Sequence, residues 1–99
     1  MDRELIISEE AESDLEERWD YIAEDSPQNA DRFIDQIYRK CLDITVLDGI
    51  GRARDELADG LLSISHKKYI IFFIRDDQQV GIVRILRASR DLVSQFDNK

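Results

Sequence analysis

The hydrophobic period of this chain changes at Gly49, and few folds accommodate that change. Before it, apolar residues recur at intervals of three and four: Leu15, Trp19 and Ile22, then Ala30, Phe33, Ile34, Ile37, Tyr38, Cys41, Leu42 and Val46. Those are the stripes of two amphipathic helices. After it come short runs with the length and composition of strands: Gly60 to Ser65, Tyr69 to Arg75 and Val80 to Arg87. A chain that segregates the two periods in this way is expected to be α+β, with helices packed on one face of a sheet.

Local signals mark the boundaries. Arg3 to Ile7 reads as a further, N-terminal strand. Ser8 is placed to cap the first helix, and Glu9, Glu10 and Glu12 load its first turn with the charge that a helix N-terminus favours. Ser26-Pro27 ends that helix and starts the next, with Ser26 as N-cap and Pro27 at the first helical position. So short a connection predicts an antiparallel helical hairpin. Leu15, Trp19, Ile22, Phe33, Ile37 and Leu42 are expected to hold it on the sheet.

Asp76 to Gln79 forms a polar turn between the last two strands, so these pieces predict a three-stranded antiparallel meander. A turn centred on Asp77-Gln78 pairs Arg75 with Val80, Phe73 with Ile82, Ile71 with Arg84 and Tyr69 with Leu86. Alternation then puts Tyr69, Ile71, Phe73, Val80, Ile82, Arg84 and Leu86 on one face, and Ile70, Phe72, Ile74, Val83 and Ile85 on the other. Both faces are apolar and only two helices are available, so one face is expected to stay partly open, covered only by the tail or by something else such as a protein partner. The short C-terminal tail, Ser89 to Phe96, fits a helix or a strand equally.

With 99 residues, 42% hydrophobic and 36% charged, the chain is expected to form one domain over residues 1–99, neither disordered nor membrane-spanning. No secretory signal pattern opens it. One cysteine and one histidine make neither a disulfide nor a zinc cluster, so no metal or cofactor is expected and a reduced, cytoplasmic setting is. Charge is divided: residues 1–48 carry 15 acidic and 5 basic side chains, residues 49–99 carry 7 and 9, for an overall −8. The acidic half repels nucleic acid, so no direct nucleic-acid binding is expected and any anion site belongs to the second half.

Candidate functional residues are therefore basic. Arg84 lies within an apolar strand, and a buried arginine needs a partner. The sequence leaves open whether that is an internal carboxylate or a ligand. Arg87 and Arg90 continue the same segment, and Arg52 and Arg54 follow Gly51. They make either a basic edge or solvated charge balancing the acidic helices. His66, beside Lys67 and Lys68, reads as a surface histidine, Cys41 as a buried and inert thiol, and Trp19 and Tyr38 as core residues.

The order of these pieces resembles the ParE toxins of the RelE/ParE superfamily, from about Leu5 to Leu92. The marks are Ala11-Glu12-Ser13-Asp14-Leu15-Glu16-Glu17 leading to Trp19-Asp20-Tyr21-Ile22, and Ala30-Asp31-Arg32-Phe33-Ile34. Gly51-Arg52 with Glu56-Leu57, Gly60-Leu61, Tyr69-Ile70-Ile71-Phe72-Phe73, Arg84-Ile85-Leu86 and Arg90-Asp91-Leu92 follow. Arg87-Ala88 stands where the family often has His-Gly, and Leu47-Asp48-Gly49-Ile50 where it usually has Asn-Pro.

The resemblance implies a βααβββ domain and the toxic half of a type II toxin–antitoxin pair, with a plasmid-stabilization role. It also implies inhibition of DNA gyrase, rather than enzymatic action, and neutralisation by a ParD-like ribbon-helix-helix antitoxin. The alternatives it carries are a RelE-type ribosome-dependent mRNA endoribonuclease and an inactive homologue. Arg52, Tyr69, Arg84, Arg87 and Arg90 are the residues expected to bind antitoxin or target. Whether the free chain forms a homodimer is left open.

Overall fold

The computed structural model describes residues 3–88 and 92–96. Its elements are β1 (Glu4–Ile7), α1 (Glu9–Ala23), α2 (Pro27–Val46), β2 (Arg52–Ala53), β3 (Leu62–His66), β4 (Tyr69–Arg75), β5 (Gln79–Arg87) and α3 (Leu92–Phe96). They make one five-stranded sheet in the order β1-β5-β4-β3-β2. β1 runs parallel to β5 and every other pairing is antiparallel. The two-residue β2 extends the expected meander by one short edge strand.

The caps act as their residue types dictate. Ser8 Oγ accepts from the Ala11 amide at 3.0 Å and donates to the Val83 carbonyl at 2.8 Å, so one hydroxyl starts α1 and ties it to β5. Ser26 Oγ accepts from the Asn29 amide, and Pro27 opens α2. In the β4–β5 turn, Asp76 Oδ1 accepts from the Gln78 and Gln79 amides, both at 2.8 Å.

Against the helices lies a core of Ala11, Ile37, Cys41 and Ile44 with Ile71, Phe73, Val80, Ile82 and Ile85, joined by Leu5, Ile7, Leu15 and Phe33. The inner diagonal of α2 is Ala30, Phe33, Ile37, Cys41 and Ile44. Leu42, expected inside, is exposed, as are Tyr38 and Val46. Two apolar diagonals run along α2, and the sheet takes the one whose small residues, Ala30, Cys41 and Thr45, allow close approach. Trp19 and Ile22 lie outside this core. The Trp19 indole instead donates to Asp31 Oδ1 at 3.0 Å, fastening α1 to α2 rather than to the sheet.

The β4–β5 register follows the expected pairs from Arg75↔Val80 to Phe73↔Ile82, then shifts by one. Phe72 pairs with Arg84, Ile71 with Ile85 and Tyr69 with Arg87, not Ile71 with Arg84 or Tyr69 with Leu86. Val83 is the extra residue of a β-bulge, and beyond it every β5 side chain changes face. Ile85 thereby joins the helix-side core and Leu86 leaves it.

The opposite face is covered within the chain, by the tail as expected and also by the β2–β3 connection, so it is less open than the strand pattern alone implies. Phe72, Ile70 and Leu86 are buried there under Leu57 and Leu61 from the β2–β3 connection and under Leu92 and Phe96 of α3. The Phe72 and Phe96 ring centroids are 4.8 Å apart, edge to face. The tail is a helix over its described part, and it covers the sheet. Gly51 closes the last constraint: its φ is +108°, and a Cβ there would meet Phe73 Cζ at 2.7 Å. Only glycine fits both the backbone and the buried ring.

Candidate functional site

The register that the bulge imposes sets Tyr69, first in β4, opposite Arg87, last in β5. Paired residues leave a sheet on the same side. Tyr69 packs on Phe33 of α2, with ring centroids 4.8 Å apart, so both side chains belong to the helix face. From α1, Arg18 and Tyr21 enter the same space, three residues apart and therefore on one side of the helix. The Arg18 guanidinium carbon is 4.9 Å from the Tyr21 ring centroid and 5.7 Å from that of Tyr69. Asp14, Glu17, Ile85 and Leu86 complete a cleft of about 320 Å³.

Arg84 borders this cleft but is already engaged. β1 pairs with β5 only as far as Ile82, so the next part of β5 is a free edge. Asp14 closes it. Asp14 Oδ2 accepts from the Ile85 amide at 2.9 Å and from Arg84 Nε at 2.8 Å, while its Oδ1 accepts from Arg84 Nη2 at 2.9 Å. The Arg84 Nη2 also lies 3.5 Å from Gln95 Oε1 of α3. The hydrogen bond it donates to Asp14 holds the guanidinium more firmly in its charged form. Of the two partners the sequence left open for Arg84, the structure provides the internal carboxylate.

Arg87 is in the opposite condition. Among the described residues its Nε is shielded from solvent and has no hydrogen-bond partner. Arg18 lies against aromatic rings and, among the described residues, forms no salt bridge. Among the described residues the cleft therefore holds two arginines without salt bridges, both next to Tyr69.

The other sequence candidates lie elsewhere. Arg52 is exposed on β2, with β3 and β4 between it and β5, which at ordinary strand spacing is roughly 14 Å. Arg90 falls outside the described residues. His66 ends β3, its Nε2 is 3.4 Å from Gln36 Oε1, and burial holds its pKa below 6.5. It does not line the cleft. Burial pushes the Cys41 thiol up to about 12, so at neutral pH it carries no thiolate. No group of three or more histidine, cysteine, aspartate or glutamate side chains among the described residues is arranged to hold a metal ion.

Sequence reasoning missed Arg18 and Asp14. The Arg18–Tyr21 spacing was the available signal for the first. Nothing distinguished Asp14 within so acidic a helix.

This arrangement sits within a segment that matches a known family. The model of the ParE toxin of type II toxin–antitoxin systems, parDE, matches residues 5–92. The chain belongs to the ParE toxin family. A chain of the solved chromosomal ParDE TA system from P. aeruginosa superposes with a TM-score of 0.72 at 19% identity, covering 86% of this chain and 95% of that one. No curated protein matches. The ParE segment spans the helix-side core, all of the second core except Phe96, the Asp14–Arg84 closure and the whole cleft. The Gly51-Arg52 mark has a physical reason in the Phe73 ring packed against Gly51.

Proposed function

We propose that this ParE-family toxin inhibits DNA gyrase in the cytoplasm and is neutralised by a ParD-like ribbon-helix-helix antitoxin. The observation that carries the reading is the ParE match over residues 5–92, nearly the whole chain. The cleft chemistry supports it. Metal-free RNA cleavage needs a general base near the cationic groups that receive the developing phosphorane charge. Among the described residues no histidine or lysine lines this cleft, its Asp14 carboxylate is occupied by Arg84 and the Ile85 amide, and its other carboxylate, Glu17, is exposed to water rather than held against the arginines. Arginine stays protonated and cannot serve. Electrostatics argue the same way, because α1 presents a dense row of carboxylates to any incoming phosphate backbone.

The test is induction in cells without antitoxin. Filamentation and DNA-damage signalling are the expected response. Prompt translation arrest with cleavage of ribosome-bound messages would favour the RelE-type nuclease instead.

A further inference from the structure

Among the described residues, Arg87 Nε is the one buried side-chain nitrogen or oxygen without a hydrogen-bond partner. A buried N–H without an acceptor costs about 1–3 kcal/mol, and native structures leave few such groups. Three residues earlier, Arg84 shows what satisfies the same edge of a guanidinium: one carboxylate received by Nε and Nη2 together. Arg87 Nε has no acceptor and, among the described residues, neither Arg87 nor Arg18 forms a salt bridge. Arg18 lies over the Tyr21 and Tyr69 rings.

We propose that this cleft receives a carboxylate side chain from a partner protein segment, held by Arg87 and Arg18 and flanked by Tyr69 and Phe33. A carboxylate fits better than a phosphate. With Arg84 neutralised by Asp14, Arg18 and Arg87 face one unpaired negative charge, Glu17, so the cleft has a net charge of one positive unit. That balance suits a monoanion and opposes a dianion or a nucleic-acid strand. The aromatic walls and Ile85 suit apolar neighbours on the same segment, so the fitting sequence is acidic and amphipathic. The inference deepens the toxin–antitoxin reading, since an antitoxin arm is one source of such a segment, but its test needs no antitoxin.

The probe is a pair of blocked tripeptides, acetyl-Leu-Glu-Leu-amide and acetyl-Leu-Gln-Leu-amide, titrated into the full chain while arginine Nε–Hε resonances are followed by NMR. Arg87→Lys, which lacks Nε, identifies the Arg87 signal by its loss. The expected result is a saturable shift of the Arg87 and Arg18 signals, with the glutamate peptide binding at least about tenfold more tightly than the glutamine peptide. Equal responses to the two peptides, or shifts confined to exposed arginines such as Arg52, overturn the site. A stronger response to inorganic phosphate or to a short oligonucleotide overturns it in favour of a phosphate site. None of these outcomes bears on gyrase inhibition, so this inference and the proposed function fail separately.

Discussion

Asp14 is one of fifteen carboxylates in the first 48 residues, and its side chain is nine-tenths shielded in its pair with Arg84. It closes the β5 edge and joins α1 to the strand in three hydrogen bonds. Asp14→Ala leaves Arg84 and the Ile85 amide without their acceptor, so equilibrium urea unfolding is expected to show a loss of about 2–4 kcal/mol. The figure sits below that of a fully buried pair because Arg84 remains partly exposed. His66 gives a pH signature. Desolvation, with Lys67 and Lys40 nearby, lowers its folded pKa below 6.5, so the unfolded chain binds the extra proton first as pH falls. Stability is therefore lost through that group as pH drops below about 6.5. The wild-type chain is expected to weaken relative to His66→Gln between pH 7.5 and 5, and a parallel pH profile for the two would refute this. At this scale the sequence could say that Arg84 needed a partner and that Cys41 was buried. It could not choose Asp14 among so many carboxylates, because the choice depends on where the free edge of β5 falls.

At the scale of elements, both N-caps, the helical hairpin and β1, β3, β4 and β5 were legible, since capping hydroxyls, a proline at the first helical position and apolar period are local signals. Pairings over several residues were harder. A single extra residue at Val83 exchanged the faces of Ile85 and Leu86, and nothing in the composition of β5 marks a bulge. α2 offered two apolar diagonals, and only the packed sheet selects between them. Trp19 illustrates the consequence: a large aromatic residue on a helical stripe reads as core, yet it joins helix to helix at the rim. Phe72→Ala is accordingly expected to cost about 3–5 kcal/mol and Trp19→Ala clearly less, measured by denaturation midpoints. Equal costs, or the reverse order, would contradict this packing. α3 covers the second core through Leu92 and Phe96. Phe96→Ala is expected to expose the Phe72 face and to raise binding of a hydrophobic dye.

For the whole molecule, charge and fold divide the labour. The hairpin carries most of the acidic side chains, while the end of the sheet gathers Arg18, Tyr69 and Arg87 into a cleft where, among the described residues, Arg87 Nε has no hydrogen-bond partner. The ParE fold was readable from the order of its pieces. The cleft was not, because it brings α1, α2, β4 and β5 together from positions as far apart as Arg18 and Arg87. Among the described residues no helix is long and apolar enough to cross a membrane. Gyrase inhibition is measured by supercoiling of relaxed plasmid DNA in the presence of increasing amounts of the purified chain. Supercoiling is expected to fall, and to recover when a ParD-like antitoxin that binds the chain is added. Undiminished supercoiling at a large molar excess of the chain, with cleavage of ribosome-bound messages by the same preparation, would contradict it.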